Sequence, residues 1–166
     1  MIQDILPYKM DNHYYPDKRC RSQDLVICLQ EGKMLVKNED GVLKFPCAAM
    51  LSSGKDYRYL FNVAGEDYYL SFTTDDVPAA GYQYLSLKEI RFSGKMARHL
   101  VFAGYTACHL ARWYMVNTFC GHCGTRTEHS VSERAVLCPA CGVIKYPQIN
   151  PAVIVGIIDR ERILLT

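Results

Sequence analysis

Short runs of apolar and β-branched residues alternate with turn-forming residues over the first 85 positions. The run at residues 25–29 ends at a Glu-Gly turn signal, and pairs of runs flank residues 38–41 and 64–67. Asp-Gly and similar pairs favour the tight turns that join antiparallel strands. The pattern predicts a β-rich region whose many tyrosines pack in the core and on sheet faces. A base-stacking platform is the alternative use of these tyrosines.

A helical pattern replaces the strands after Ser86. Ser86 and Glu89 have the spacing of a capping box, in which each residue satisfies a backbone amide at the start of a helix. Gly94 is expected to break or kink the segment that follows. Apolar residues then recur at spacings of three and four as far as about Asn117, which predicts an amphipathic helix. These positions are Met96, Leu100, Ala103, Ala107, Leu110 and Tyr114.

Residues 146–166 have a different pattern again. A proline-punctuated segment at 146–151 precedes a continuous apolar run at 152–158, which is typical of a buried strand. A charged turn at 159–162 and the apolar residues 163–165 predict a second strand. Because two strands with no sheet to join do not make a stable unit, we expect the chain to end inside a further domain.

Composition places the protein among ordinary folded proteins. It has 166 residues, 49% hydrophobic residues and a net charge of +2, which is too small to indicate a nucleic-acid or membrane partner. No apolar run approaches the ~20 residues that cross a bilayer, and the N-terminus lacks the basic start and apolar core of a signal peptide. We therefore predict a cytoplasmic protein with reduced thiols and no membrane partner.

Four of the eight cysteines form two Cys-x₂-Cys pairs, Cys120 with Cys123 and Cys138 with Cys141, separated by 14 residues. Two such pairs supply the four sulfur ligands of a closed, structural Zn²⁺ site, and iron is the alternative metal. Because thiolates fill all four positions, no position remains for a catalytic water. We expect one structural zinc ion per chain.

The other cysteines and the nearby histidines have ordinary interpretations. His122 and His129 could each replace a cysteine ligand, but four well-spaced thiolates make this unnecessary. The remaining four cysteines are scattered, and free cysteine behaves as a small buried hydrophobe. These predicted core residues are Cys20, Cys28, Cys47 and Cys108.

From Trp113 to its last residue, the sequence resembles the NADH pyrophosphatases of the Nudix hydrolase superfamily. The shared features are the aromatic pair Trp113-Tyr114, the two cysteine pairs with their spacer, and Tyr-Pro-x-Ile-x-Pro before an apolar strand. The resemblance implies an α+β architecture in four parts. These are a β-rich N-terminal domain (1–93), a connecting helix (94–118), a zinc ribbon (119–147) and the first strands of an incomplete Nudix α/β domain (148–166).

The same resemblance implies an activity for the full-length parent protein. Members of the family hydrolyse NADH or NAD⁺ to nicotinamide mononucleotide and AMP, and some bacterial members remove NAD caps from RNA. They use Mg²⁺ or Mn²⁺ and act as homodimers. The catalytic Nudix box would lie downstream of Thr166, so this chain carries no catalytic residue and is expected to be inactive alone.

Three positions match residues that contact substrate in the family: Glu133, ten residues after the second cysteine ligand, Tyr146, five after the fourth, and Arg91. Tyr146 offers a ring face to nicotinamide or adenine, Glu133 accepts hydrogen bonds, and Arg91 pairs with phosphate. A lysine that the family places after Leu-Pro is not matched, because Cys47 follows Pro46 here.

A stand-alone zinc-ribbon module that binds protein or nucleic acid is the alternative function. Nucleic-acid ribbons usually present basic and aromatic residues together. The loop between the cysteine pairs has Arg126 and Arg134 offset by Glu128 and Glu133, and it has no aromatic residue. This composition disfavours nucleic-acid binding by the ribbon itself.

Overall fold

A seven-stranded sheet with two helices forms the N-terminal part of the computed structural model, which describes residues 2–51, 57–72, 81–150, 153 and 155–165. The strands are β1 (Met10–Asp11), β2 (Leu25–Gln30), β3 (Lys33–Glu39), β4 (Val42–Lys44), β5 (Arg58–Val63), β6 (Glu66–Ser71) and β7 (Tyr82–Ser86). The helices are α1 (Leu87–Ser93) and α2 (Arg98–Val116), and a 3₁₀ turn spans Ala48–Met50.

The sheet has the order β1-β5-β6-β2-β3-β4, with β7 also paired to β3. β2 lies parallel to β6, whereas the other pairs are antiparallel. Both predicted hairpins are confirmed. In the β3–β4 turn, Asp40 and Gly41 have φ values of 51° and 85°, and in the β5–β6 turn Ala64 and Gly65 have 59° and 85°. Two successive positive φ values match the twist of antiparallel strands.

The first helix, α1, begins and ends where local chemistry predicts. The Ser86 hydroxyl accepts a hydrogen bond from the backbone N–H of Glu89 (3.2 Å), and the Glu89 carboxylate accepts one from the Ser86 N–H (2.8 Å). This confirms the capping box. α1 ends at Gly94, whose φ of 64° lies in the left-handed region. The predicted break therefore separates two helices.

α2 packs closely on the sheet through residues spaced three and four apart. Its buried residues join one core cluster with side chains of β2, β3, β5 and β6. Gly104 permits the closest approach, since a Cβ there would lie 2.9 Å from Met34 Cε and 3.2 Å from the Phe45 ring. No helix in the described ranges is both long and apolar enough to cross a membrane.

The tyrosines and scattered cysteines are mainly structural. Tyr68 and Tyr69 are fully buried, which confirms the packing interpretation and excludes them from any base-stacking surface. Cys28 is buried, and the other three scattered cysteines are half-buried. Burial raises the pKa of Cys108 to about 11, and burial together with Asp24 raises the pKa of Cys20 to about 12, so both remain thiols.

The C-terminal part consists of two small antiparallel units. The first is three-stranded, with β8 (Glu128–His129), β9 (Val136–Leu137) and β10 (Ile144–Lys145). The second is a hairpin of β11 (Gly156–Asp159) and β12 (Arg162–Leu165). This hairpin confirms the predicted pair of strands, but the burial expected for the run at 152–158 is not seen in its described part. Ile157 and Ile158 are exposed because β11 pairs only with β12 among the described residues; residues 152 and 154 lie outside them.

Candidate metal centre and the adjacent tyrosine site

The four cysteines of the two Cys-x₂-Cys pairs form one cluster. Their sulfur atoms all lie within 4.8 Å of one another, with Cys123 Sγ 3.4 Å from Cys138 Sγ and 3.6 Å from Cys141 Sγ. Four sulfurs at 2.3 Å from a tetrahedral zinc ion would be about 3.8 Å apart. The donor set and its spacing therefore fit Zn²⁺, with no ligand position left for water.

Two equivalent turns build the cluster. In the first, the Gly124 N–H donates to the Cys120 carbonyl (2.8 Å), and in the second the Gly142 N–H donates to the Cys138 carbonyl (2.9 Å). Both glycines have a φ of 73°, which side chains rarely adopt. These turns let backbone amides approach the sulfurs, as the His122 N–H does at 3.4 Å from Cys120 Sγ.

Hydrogen bonds at the first pair favour the thiolate forms that a metal requires. Backbone N–H groups of Cys123 and His122 lower the pKa of Cys120. Hydrogen bonding with Thr125 lowers the pKa of Cys123 to about 6. A thiolate that already accepts hydrogen bonds is oriented for metal binding.

The His129 ring has a different environment from the sulfur cluster. It packs edge-on against the Tyr114 ring, with centroids 5.3 Å apart. Burial and the neighbouring Arg58 lower the pKa of His129 to about 4, so it is neutral at physiological pH. His129 thus contributes to packing between the ribbon and α2.

The loop between the cysteine pairs is anchored to the N-terminal sheet. The Tyr14 hydroxyl donates to the Ser130 carbonyl (2.8 Å), and the Arg134 guanidinium donates to the Leu60 carbonyl on β5. Arg134 also lies over the Tyr14 ring, and Val136 belongs to the main core cluster. The sequence indicates Arg134 only as a loop charge, and no local pattern indicates its partner 74 residues away.

Glu133 and Tyr146, the two predicted substrate residues of the ribbon, are in direct contact. The Tyr146 hydroxyl donates to Glu133 Oε1 at 2.8 Å, and both side chains are exposed. The hydrogen bond to this carboxylate raises the pKa of Tyr146, so the phenol stays protonated. The pair forms a polar edge next to an open ring face.

Arg91, the third predicted substrate residue, lies elsewhere. It is exposed on α1, with its guanidinium 5.4 Å from the centre of the Phe92 ring. It lines a cavity with Ile2, Met96 and Arg98, whereas Tyr146 lines a separate cavity at the end of α2. The structure brings Glu133 and Tyr146 together and does not bring Arg91 to them.

Four clustered cysteine sulfurs on two glycine-ended turns, joined by three short strands, define a zinc ribbon whose donor set fits one structural Zn²⁺. Residues 117–146 match the family model described as the NADH pyrophosphatase zinc ribbon domain. The ribbon of this chain is therefore similar to that of the NADH pyrophosphatases, which confirms the resemblance found in the sequence.

Curated relatives extend this similarity beyond the ribbon. The NAD-capped RNA hydrolase NudC of Chromobacterium violaceum is 30% identical over 138 residues, covering 83% of this chain and 50% of the relative. NudC of Pseudomonas aeruginosa is 31% identical over 101 residues, 61% of this chain and 36% of the relative. NudC of Photorhabdus laumondii is 50% identical over 56 residues, 34% of this chain and 22% of the relative. The chain spans at most about half the length of these relatives.

Proposed function

We propose that the full-length protein containing this chain is a Nudix NAD(H) pyrophosphatase. It would hydrolyse NADH or NAD⁺ to nicotinamide mononucleotide and AMP, and also remove NAD caps from RNA. One water molecule adds across the P–O–P linkage, which leaves two phosphate monoesters. The matched ribbon and the NAD-capped RNA hydrolases among the relatives support this class of reaction.

The observation that carries the proposal is the hydrogen bond between Tyr146 and Glu133. It holds the Tyr146 ring at a defined angle while leaving the ring half exposed. An exposed, oriented ring can stack on nicotinamide or adenine. The Tyr146 hydroxyl donates its hydrogen bond to Oε1 of Glu133. The other carboxylate oxygen, Oε2, can therefore accept hydrogen bonds from the carboxamide or hydroxyl groups of the dinucleotide.

Arg91 remains a proposed substrate contact for phosphate, acting from the α1 side of the molecule. Since it lines a different cavity from Tyr146, it would meet a different part of the substrate or a second copy of the chain. We also propose a homodimer, which would allow Arg91 to meet the second copy of the chain.

The zinc ion would act through structure, because its four thiolates leave no open position. Activation of water by Mg²⁺ or Mn²⁺ would belong to a Nudix domain outside these residues, which cover at most half of the relatives. On the same basis we propose that the chain divides into four parts, with boundaries after residues 93, 118 and 147. Residues 148–166 would then begin the Nudix domain. A cytoplasmic location would keep the zinc thiolates reduced.

Hydrolysis of NADH by the full-length gene product tests the proposal. With Mg²⁺ or Mn²⁺, chromatography should show equal amounts of reduced nicotinamide mononucleotide and AMP, and NAD-capped RNA should yield RNA with a 5′-monophosphate. Residues 1–166 alone should form neither product. Absence of both products with the zinc-loaded full-length protein would contradict the proposed function.

A further inference from the structure

A cavity of about 570 Å³ opens beside Tyr146, between the C-terminal end of α2 and the segment that follows the ribbon. Arg112 and Trp113 line it from α2, Lys145 and Tyr146 from β10 and its end, and Gln148 from the connecting segment. Its volume lies within the range of small-molecule sites, ~300–1,000 Å³. No sequence pattern joins these positions, because they come from elements far apart in the chain.

The charges that line this cavity are all positive. Arg112 and Lys145 reach it from two different elements, and His109 lies one helical turn before Arg112. No aspartate or glutamate of the described chain lines the cavity. Within the same residues, neither Arg112 nor Lys145 has an ion pair or a side-chain hydrogen bond. Unpaired cations that converge on a concave surface favour binding of an anion, phosphate above all.

The remaining wall suits the organic part of a nucleotide. The half-exposed Tyr146 ring offers an aromatic face, and the side-chain amides of Gln148 and Asn150 can both donate and accept. Two cations, an aromatic ring and amides around one cavity match a phosphate next to a base or ribose.

We propose that Arg112 and Lys145, assisted by His109, form a phosphate-binding subsite next to Tyr146. The identity of its ligand rests on the proposed function, since Tyr146 belongs to the substrate site proposed above. The phosphate is either the pyrophosphate of the dinucleotide or the phosphodiester backbone of an RNA chain attached to it.

Binding by the full-length protein tests the subsite and distinguishes the two sources. The test variant is Arg112→Gln/Lys145→Gln, and the matched control is Arg19→Gln/Lys88→Gln. The control removes the same charge at exposed positions that do not line this cavity. The probes are NADH without added divalent metal, followed by its own fluorescence, and a fluorescein-labelled single-stranded RNA with a 5′-monophosphate, followed by anisotropy over a salt series.

We expect the test variant to bind at least one probe about tenfold more weakly, while the control changes by less than about twofold. Weaker RNA binding with unchanged NADH binding assigns the subsite to the RNA backbone. The slope of log K for RNA binding against log salt concentration should then decrease in magnitude by about 1.4, or ~0.7 for each lost phosphate contact. Weaker NADH binding with unchanged RNA binding assigns it to the pyrophosphate. The charge-keeping variant Arg112→Lys/Lys145→Arg should retain most of the binding.

Equal binding of both probes by the test and control variants would overturn the subsite. If the wild-type protein still hydrolyses NADH in that case, the proposed function stands without the subsite. If RNA binding depends on Arg112 and Lys145 but NADH is not hydrolysed, the subsite stands and the proposed function fails. Both substituted side chains are exposed, so zinc content and Tm should match those of the control.

Discussion

The hydroxyl of Tyr146 donates a 2.8 Å hydrogen bond to the Glu133 carboxylate. These residues lie in different parts of the ribbon, Glu133 in the loop between the cysteine pairs and Tyr146 just after the third strand. Their contact therefore depends on the folded ribbon, which the metal cluster holds together. It links the zinc ribbon to the proposed substrate site, although the metal itself would take no part in the chemistry.

This contact leads to a prediction for binding. If the full-length protein has the proposed activity, Tyr146→Ala should raise KM for NADH by about tenfold or more, with kcat little changed, because stacking stabilises the bound ground state and transition state equally. Tyr146→Phe and Glu133→Gln should each raise KM by less. The first variant keeps the aromatic ring, and the second keeps Tyr146 and a hydrogen-bond acceptor at position 133. Initial-rate kinetics measure these values.

Glu128→Gln is the matched control for Glu133→Gln. It makes the same chemical change in the same ribbon, but Glu128 lines a different cavity, with Arg58 and His129. A KM that rises equally in both glutamate variants would contradict a specific role for Glu133. Zinc content should be unchanged in every variant of this set.

Loss of a zinc ligand should unfold the ribbon. Cys120→Ser or Cys138→Ser removes one of four thiolates, so the protein should lose its zinc and show a lower Tm, because metal binding is coupled to folding in small ribbons. Metal analysis and thermal melting measure both effects. Cys47→Ser, at a half-buried cysteine outside the cluster, should retain a full zinc equivalent. Retention of zinc by either ligand variant would show that the metal has a different ligand set.

Gly104 should tolerate one methyl group but not a branched side chain. In Gly104→Ala the new Cβ would lie 2.9 Å from the flexible end of Met34 and 3.2 Å from the Phe45 ring, and a gain of about 1 kcal/mol in helix propensity offsets the small shifts that both require. In Gly104→Val the added methyl groups press against the Phe45 ring, which should destabilise the fold by about 1–3 kcal/mol. Chemical denaturation of both variants measures the difference. Equal stability would contradict the close approach of α2 to the sheet.

Asp67 should make the fold sensitive to acid. Burial alone would raise the pKa of Asp67, but hydrogen bonds from Asn62 and Lys18 and the charge of Arg21 hold it below its ordinary value of 3.8. Because the folded pKa is the lower one, this stabilisation is complete above about pH 4 and is lost as the pH falls through the folded pKa. The denaturation midpoint should therefore decrease as the pH is lowered from about 4 through the folded pKa of Asp67.

The variant Asp67→Asn tests this through its difference in stability from the wild type at each pH. It should destabilise the protein by about 1–3 kcal/mol at neutral pH, since charged hydrogen bonds to Lys18 and Arg21 are lost. The variant and wild type should converge in stability at low pH. A constant difference at all pH values would show that packing of Asp67, rather than its charge, is what matters.

Much of the local structure could be read directly from residue types. Ser86 and Glu89 make a capping box because each can satisfy a backbone N–H within one helical turn. Asp40-Gly41 makes a tight turn because both residues accept positive φ. The strands β1 and β7 were not predicted. β1 has two residues, and β7 exists because β3 supplies a pairing partner at its edge.

The sequence alone determined the metal-binding residues, the turns and the helix boundaries, because these depend on atoms only a few positions apart. The tertiary structure decided which distant side chains meet. It joined Arg134 to Leu60, separated Arg91 from Tyr146 and brought Arg112 and Lys145 to one cavity. Such contacts follow from strand order and helix packing, which bring together residues that no local spacing relates.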